Sequence, residues 1–428
     1  MSNTQQWRAG DLVVQERPAT SHVTKLYEVV CVCGGFGFPH GIASTPRIAI
    51  VGKSLQAAGL AFRLIHCGPS PLAVNTQRAG VHLGIPYEYT TAVKRPSNAV
   101  ARKLVYLRAL MGVTIRLFQL RRVRRQTVIW LYIDGSANLF ISSLCRLLGL
   151  PVVQELCEWW GAPDCSPRCS RLTRWLYGGP LFYGATGALV ISKLIEQRVR
   201  KISARVNPNL LVHRLPSIVD AERFAGDPSA GNGSLQVTDW FVWCGDQAWI
   251  QDVAFLVRVI AVARRQGYRC RLKILGNFKE SSRRFIAQVV AKTGVPPEDI
   301  FFTGYVDDRK LEESYRTAAA LLLPLWDDDR SRTRLPNKLG EYLASGRPVV
   351  TCRVGDLTDF LTHRVNVYLT GPGDEQDFAE QLTSIIRDPG AATRIGYAGQ
   401  ETCKVHLDYQ AHANALAQWF AECANRAR

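Results

Sequence analysis

No run of about 18 uninterrupted apolar residues occurs in the sequence, so no membrane-spanning helix is predicted. The stretch from Met1 to Val23 has no apolar core and mixes acids with bases, so it does not read as a secretory signal. Zinc-finger, RRM, KH and helix-turn-helix signatures are missing, and nucleic acid is not an expected partner. Cys165 and Cys169 form a loop pair, but no second cysteine pair or His-x-His accompanies them, so no metal is predicted. The glycine-rich segment near the N-terminus lacks the G-x-G-x-x-G spacing with a distant acid, so no NAD-type site is read there. No cofactor is expected.

What is present fits a two-domain globular chain: 428 residues, 47% of them apolar and 21% charged. Most of the 12 cysteines sit in apolar runs, including Cys31, Cys33, Cys67, Cys145, Cys157, Cys244, Cys270 and Cys352. Buried thiols of this kind suit a reducing compartment, and a cytoplasmic location is the expectation. The formal charge of +17, from 53 basic and 36 acidic residues, predicts an anionic partner without choosing among phosphorylated ligands, nucleic acid and lipid.

After a polar extension over 1–24, strands and helices alternate through 25–220. Strand candidates are Tyr27–Cys33, Leu60–Cys67, Val128–Ile133, Pro151–Leu156 and Ala188–Ser192, with helices at Pro46–Ala58 and Ala101–Gln126. Residues 221–238 contain the Gly-, Ser- and Asp-rich run Phe224–Ser234 and read as a linker. The alternation restarts over 239–400, with strands Trp240–Cys244, Arg271–Leu275, Ile300–Thr303, Ala320–Leu323 and Pro348–Cys352. Its helices are Asp252–Arg265, Ser282–Lys292, Asp308–Thr317 and Asn337–Ser345. The stretch Thr393–Arg428 is helical, its last part (401–428) packing toward the first domain. The fold class is therefore α/β: two Rossmann-like, doubly wound domains facing across a cleft at the carboxyl ends of their strands.

The block from Arg334 to Val350, reading RLPNKLGEYLASGRPVV, is the most informative stretch. Pro336 suits the start of a helix, Gly346 its end, and Leu339, Tyr342 and Leu343 its buried stripe. Glu341, taken as an exposed helical side chain one turn in, is placed to accept hydrogen bonds from a ribose diol. Arg334, Lys338 and the helix N-terminus suit a diphosphate. The same spacing also fits a surface Glu341 merely paired with Lys338 at i, i+3. The loop Gly34–Gly41 follows a strand and precedes a helix, so its amides either line the cleft or form a simple tight turn. Asp327, Asp328 and Asp329 read as a solvated acidic loop in preference to a metal site. In the helix Ala101–Gln126, Leu104, Leu107, Met111, Ile115 and Phe118 share one side. Arg116, Arg121, Arg122, Arg124 and Arg125 crowd its end, and Arg168, Arg171, Arg174 and Trp175 make a second basic, aromatic patch. These patches fit either an anionic lipid surface or a core helix with a basic outer face.

The C-terminal block, of pattern P-x-K-L-x-E-Y-L-A-x-G-x-P-V-V and followed by Val354-Gly355-Asp356, resembles the signature of glycosyltransferase family 4. The likeness is to GT-B enzymes of the bacterial capsule and exopolysaccharide type. The segment Gly34-Gly35-Phe36-Gly37-Phe38-Pro39-His40-Gly41-Ile42-Ala43 with Arg47 is similar to that family's first glycine-rich loop. Ile191-Ser192 and Pro216–Asp220 with Phe224 resemble its run before the linker, so the matches are scattered over about residues 27–380. The resemblance implies a retaining transferase that moves a hexosyl unit from a nucleoside diphosphate sugar to a glycan or polyprenyl-diphosphate-linked acceptor. Positive charge and a helix N-terminus would serve the departing diphosphate without a metal, and the basic patches suit a peripheral position on the inner face of a membrane. The resemblance places Glu341, Lys338, Arg334, Asn337 and Gly355 at the donor, and Gly34, Gly35, Gly37, His40 and Gly41 in the cleft; no catalytic group is assigned. The chain departs from the family in three places. Thr333 stands at the first acid of the usual Glu-x7-Glu, and Asp246 and Gln251 replace the cations that grip donor phosphate. Leu131-Tyr132-Ile133-Asp134 stands where a histidine near the acceptor is common. A non-catalytic sugar-nucleotide-binding or scaffold subunit is therefore the alternative, and a nucleotide-sugar epimerase of the same fold a weaker one.

Overall fold

The computed structural model describes residues 27–122, 126–160, 171–225 and 238–426. Cys165, Cys169, Arg124, Arg125, Arg168 and most of the Phe224–Ser234 run lie outside them.

The first domain begins β1 (Tyr27–Cys33), α1 (Ser44–Ala57), β2 (Ala61–His66), β3 (Ala79–His82), β4 (Ile85–Tyr89) and α2 (Ala99–Arg122). It continues β5 (Gln126–Tyr132), α3 (Gly135–Leu147), β6 (Val152–Leu156), α4 (Arg171–Tyr177), β7 (Gly187–Val190), α5 (Lys193–Val206), β8 (Leu211–Arg214) and α6 (Ala221–Phe224). Its eight strands run in the order β3-β4-β2-β1-β5-β6-β7-β8. All neighbours are parallel except the β3–β4 hairpin at the edge. Val29, Val30, Cys31 and Val32 are completely buried, as expected of a central parallel strand covered on both faces.

The second domain begins β9 (Trp240–Cys244), α7 (Ile250–Arg265), β10 (Arg271–Leu275), α8 (Glu280–Thr293), β11 (Ile300–Gly304), α9 (Asp308–Arg316) and β12 (Ala320–Leu323). Then follow α10 (Asp329–Thr333), α11 (Asn337–Ala344), β13 (Val349–Cys352), β14 (Tyr368–Thr370), α12 (Glu375–Arg387), α13 (Pro389–His406) and α14 (Tyr409–Arg426). Its six strands, ordered β11-β10-β9-β12-β13-β14, are all parallel.

Two features differ from the sequence reading. The β3–β4 hairpin was not anticipated, because Leu83 and Gly84 turn the chain with φ of 50° and 76°. Both residues at positive φ make a turn that Asn-Gly normally signals, and leucine gives no such signal. The C-terminal helical stretch is also broken, at Leu407 and Asp408, where the chain returns to the first domain. There Val219 bonds on both sides, its amide to the Leu407 carbonyl (2.8 Å) and its carbonyl to the Tyr409 amide (2.9 Å). The two connections between domains therefore run side by side. Beyond them α14 docks on α1, with Ser54 Oγ donating to the Tyr409 carbonyl and Tyr27 Oη to Asn425 Oδ1. A Cβ at Gly187 would lie 2.8 Å from both Cys423 Sγ and the Trp419 ring, so only glycine lets β7 and α14 approach this closely.

The described cysteines are free thiols, most of them buried. Burial pushes Cys67, Cys145 and Cys270 up to about 12, as for small hydrophobes.

Candidate functional site

Parallel register sets the floor of the cleft, since Cys33 at the end of β1 is level with His66 of β2 and Tyr132 of β5. The loop after β1 is held from below. His66 Nε2 meets the Phe36 carbonyl, Tyr89 Oη bonds both the amide and the carbonyl of Phe38, and Asn75 pairs with both backbone groups of His40. Thr45 Oγ1 donates to the Gly37 carbonyl at 2.7 Å, and a Cβ on Gly37 would collide with Asn75, so this approach requires glycine. Gly34 lies against the Cys67 carbonyl, Gly35 takes φ of 87°, and Gly41 and His40 are exposed at the rim. The amides of Gly35, Phe36 and Gly37 have no acceptor among the described residues.

Helix α11 faces this loop from the other domain. Leu339, Tyr342 and Leu343 are buried, and Tyr342 Oη accepts from the Cys244 amide (2.8 Å), fixing the helix to the end of β9. Asn337, its first residue, reaches across: its Nδ2 donates to the Ala43 carbonyl (3.2 Å) and its Oδ1 accepts from Ser217. Glu341 is mostly buried, with 15% of its side chain exposed. Lys338 Nζ (2.8 Å) and Tyr315 Oη (3.1 Å) both bond its Oε2, while Oε1 has no partner among the described residues. Burial works against the Lys338 ammonium, but Cys244 and Glu341 outweigh it and hold it above the usual lysine range.

Beside α11 lies an aromatic-cationic cluster. The guanidinium of Arg334 stacks on Trp249 at 3.8 Å from the ring centre, and that of Arg330 at 4.1 Å. Burial lowers Arg334 to about 10, still charged at neutral pH, and its Nε is buried without a partner among the described residues. Next to the pair, Asp252 is 6% exposed and accepts from Trp326 Nε1 (2.8 Å). Burial pushes its carboxyl up to about 6, against the pull of Trp326, Arg334 and Arg330.

Because this folded pKa lies above the unfolded value of 3.8, the Asp252 contribution is present below about pH 4 and lost as pH rises through about 6. Relative to Asp252→Asn, the wild type is expected to lose about 3 kcal/mol of stability between about pH 4 and pH 7. Urea denaturation of both proteins across that range measures it. A flat difference would show an ordinary, freely charged aspartate.

With this geometry, the likeness to known proteins becomes specific. Residues 238–388 match the family model described as "Glycosyl transferases group 1". The match takes in most of the second domain, which is thus similar to the group 1 glycosyltransferases. Glycogen synthase of Mycobacterium tuberculosis is 28% identical over 117 residues, an alignment covering only 27% of either chain. Over the whole fold, HepE of Anabaena, in a structure containing UDP, superposes with a TM-score of 0.64 at 15% identity, covering 93% of this chain and 100% of that one. Sucrose-phosphate synthase of Thermosynechococcus elongatus gives 0.70 at 14% identity, covering 94% and 100%. The pneumococcal O-GlcNAc transferase GtfA, with UDP and GlcNAc, gives 0.64 at 10%, covering 94% and 99%. The architecture is GT-B.

Several sequence expectations are corrected by the structure. Glu341 is not an exposed helical side chain: it is paired with Lys338, as the plainer reading had it, but inside the protein. Lys338 is committed to that carboxylate, and Asn337 to the opposite domain. Gly355, at φ 58°, packs against the Arg332 backbone. The acidic loop is instead the short helix α10. Asp328 caps it through the Ser331 amide (2.6 Å), Asp327 pairs with Arg332 (2.7 Å), and Asp329 pairs with Arg198 of α5. Thr333 is buried, its hydroxyl bonded to the Asp329 carbonyl and its own carbonyl bonded by Ser192 Oγ. Arg47, in the first domain, is committed to buried Glu155. Asp246 caps the turn after β9 through the Ala248 amide, while Gln251 is exposed. Trp249, Asp252, Trp326 and Tyr315 were missed. Only Trp249 left a trace, as an aromatic residue between the two positions where the resemblance calls for cations.

Proposed function

We propose that the protein is a retaining glycosyltransferase that moves a hexosyl unit from a nucleoside diphosphate sugar to a glycan or polyprenyl-diphosphate-linked acceptor. On this reading it works on the cytoplasmic side of a membrane. The observation that carries it is the convergence of the Gly34–Gly41 loop with the start of α11, beside two arginines on one tryptophan. Glu341 Oε1 has the chemistry for a ribose hydroxyl. Arg334 and Arg330 take the part that Asp246 and Gln251 cannot play, placing positive charge where a diphosphate departs, with the α11 N-terminus adding its dipole. UDP is the natural first ligand, since the HepE and GtfA structures contain it.

The test is calorimetric titration of UDP and of uridine. Glu341→Gln is expected to weaken both by about 1.5–3 kcal/mol, leaving their ratio unchanged, because the ribose is common to both. The glutamine variant is preferable to alanine, which would leave the Lys338 ammonium unpaired and cost stability. Unaltered uridine affinity in the Glu341→Gln protein would remove the ribose assignment. One observation favours a second reading, a non-catalytic sugar-nucleotide-binding subunit: the buried Thr333 has its hydroxyl and carbonyl already bonded. Tight UDP binding without turnover, in a screen of nucleotide hexoses with and without acceptor glycans, would select it.

A further inference from the structure

Helix α2 turns a continuous apolar stripe toward solvent. Val100, Leu104, Leu107, Met111, Ile115 and Phe118 are 47–67% exposed, while Ala109, Val113, Leu117 and Leu120 on the opposite side are buried. At 3.6 residues per turn the six outward residues fall within a narrow arc, with Lys103 and Arg121 on one side of it and Arg108 on the other. The helix has basic residues at Arg102, Lys103, Arg108, Arg116, Arg121 and Arg122 and no acidic residue at all. Beside Met111 and Ile115 a pocket of about 300 Å³ is lined by Arg78, Arg108 and Arg116. Arg116 is held by a bidentate pair with Glu88 at 2.8 Å, whereas Arg78 and Arg108 have no carboxylate partner among the described residues. Helix α3 packs against both α2 and α4, and on α3 and α4 Phe140, Leu147, Leu172 and Trp175 are exposed, as are Arg146, Arg171 and Arg174.

We infer that α2 is an interfacial helix that docks the protein on an anionic phospholipid bilayer. Its apolar stripe enters the boundary between headgroups and acyl chains, and the arginine pocket takes lipid phosphate. The lipid is favoured over a protein partner by charge: an apolar stripe flanked on both sides by cations, with no acid on its helix, matches a phosphate-bearing apolar surface. No helix among the described residues is long and apolar enough to cross a membrane, so α2 lies in the interface and does not span it. Docking of this kind also orients the cleft. Tyr106 of α2 sits against Gly68, just past the end of β2, so the N-terminal end of the stripe is at the cleft rim.

The test is flotation of the purified full chain with vesicles of phosphatidylcholine alone and of an equimolar mixture with phosphatidylglycerol, without nucleotide. The wild type is expected to float with the anionic vesicles and to weaken, yet persist in part, as salt rises, because screening acts on the cations but not on the stripe. Leu107→Glu/Met111→Glu should weaken binding on the order of tenfold or more, and Arg108→Glu should erase most of the preference for phosphatidylglycerol. All the substituted side chains are exposed, so circular dichroism and UDP titration should match the wild type. The inference is overturned if the wild type stays unbound, or if the variants float equally well. It is also overturned if sedimentation shows self-association that the double variant abolishes while no form floats, since a second copy then covers the stripe. Because nucleotide plays no part in the assay, none of these outcomes bears on the transferase reading.

Discussion

Arg47→Met should destabilise the first domain by about 3–5 kcal/mol, the cost of stranding a buried charge. The guanidinium is 2% exposed and the Glu155 carboxylate 1%. Arg47 donates twice to Glu155 Oε1 (3.2 Å), and also to the Leu215 carbonyl (3.1 Å) and to that of Pro216. Without it, Glu155 keeps among the described residues only Trp130 Nε1 (3.0 Å) and the Cys157 thiol (2.9 Å), and two carbonyls at the exit of β8 lose a donor. A variant with Glu155→Leu as well should recover much of the loss, since the pair is costly to bury and only its breakage is severe. Urea denaturation of both singles and the double closes the cycle. An Arg47→Met effect below about 1 kcal/mol would mean that the site hydrates or rearranges.

The second large effect is expected at the arginine pair. Alanine at Arg334 or at Arg330 should each weaken UDP binding by about 1.5–3 kcal/mol while leaving uridine unaffected, because the lost bonds are to phosphate. Removing both should lower kcat by about 10²–10³ with whichever hexosyl donor turns over, the range for losing a donor to developing negative charge. Arg334→Lys should rescue poorly, since an ammonium neither stacks flat on Trp249 nor presents a planar fork. Trp249→Ala should lose part of the same affinity by removing the shelf that holds both guanidinia. If the double variant binds UDP as the wild type does, the diphosphate lies elsewhere in the cleft.

Much of the scaffold was readable in advance because buried parallel strands announce themselves as short apolar runs. Trp240–Cys244, Arg271–Leu275 and Ala320–Leu323 coincide with β9, β10 and β12. The start of α11 was readable from Pro336 and its apolar spacing. Orientation was harder. The periodicity of α2 put Leu104, Leu107, Met111, Ile115 and Phe118 together, but the less bulky set containing Ala109 and Val113 is the one that packs. Periodicity reports which residues share a side, and the neighbouring elements decide which side is covered. The Trp249–Arg334–Asp252–Trp326 cluster was hidden for another reason: two members follow β9 and two follow β12, strands far apart in sequence that only the sheet order makes neighbours.

The return of the chain at Leu407 has a consequence for biosynthesis. Leu416, Trp419 and Phe420 of α14 are buried in the core of the first domain, with Trp419 against Gly187 of β7, made more than two hundred residues earlier. On the ribosome, domains usually fold in the order in which they emerge. Here the amino-terminal domain must wait with an uncovered apolar slot until the second domain and α14 have been translated. The nascent chain therefore presents that slot to chaperones while the residues from β8 (Leu211–Arg214) to α14 (Tyr409–Arg426) are made, about half of the 428. A message cut short anywhere before codon 409 yields a first domain without its final wedge, however complete its own strands.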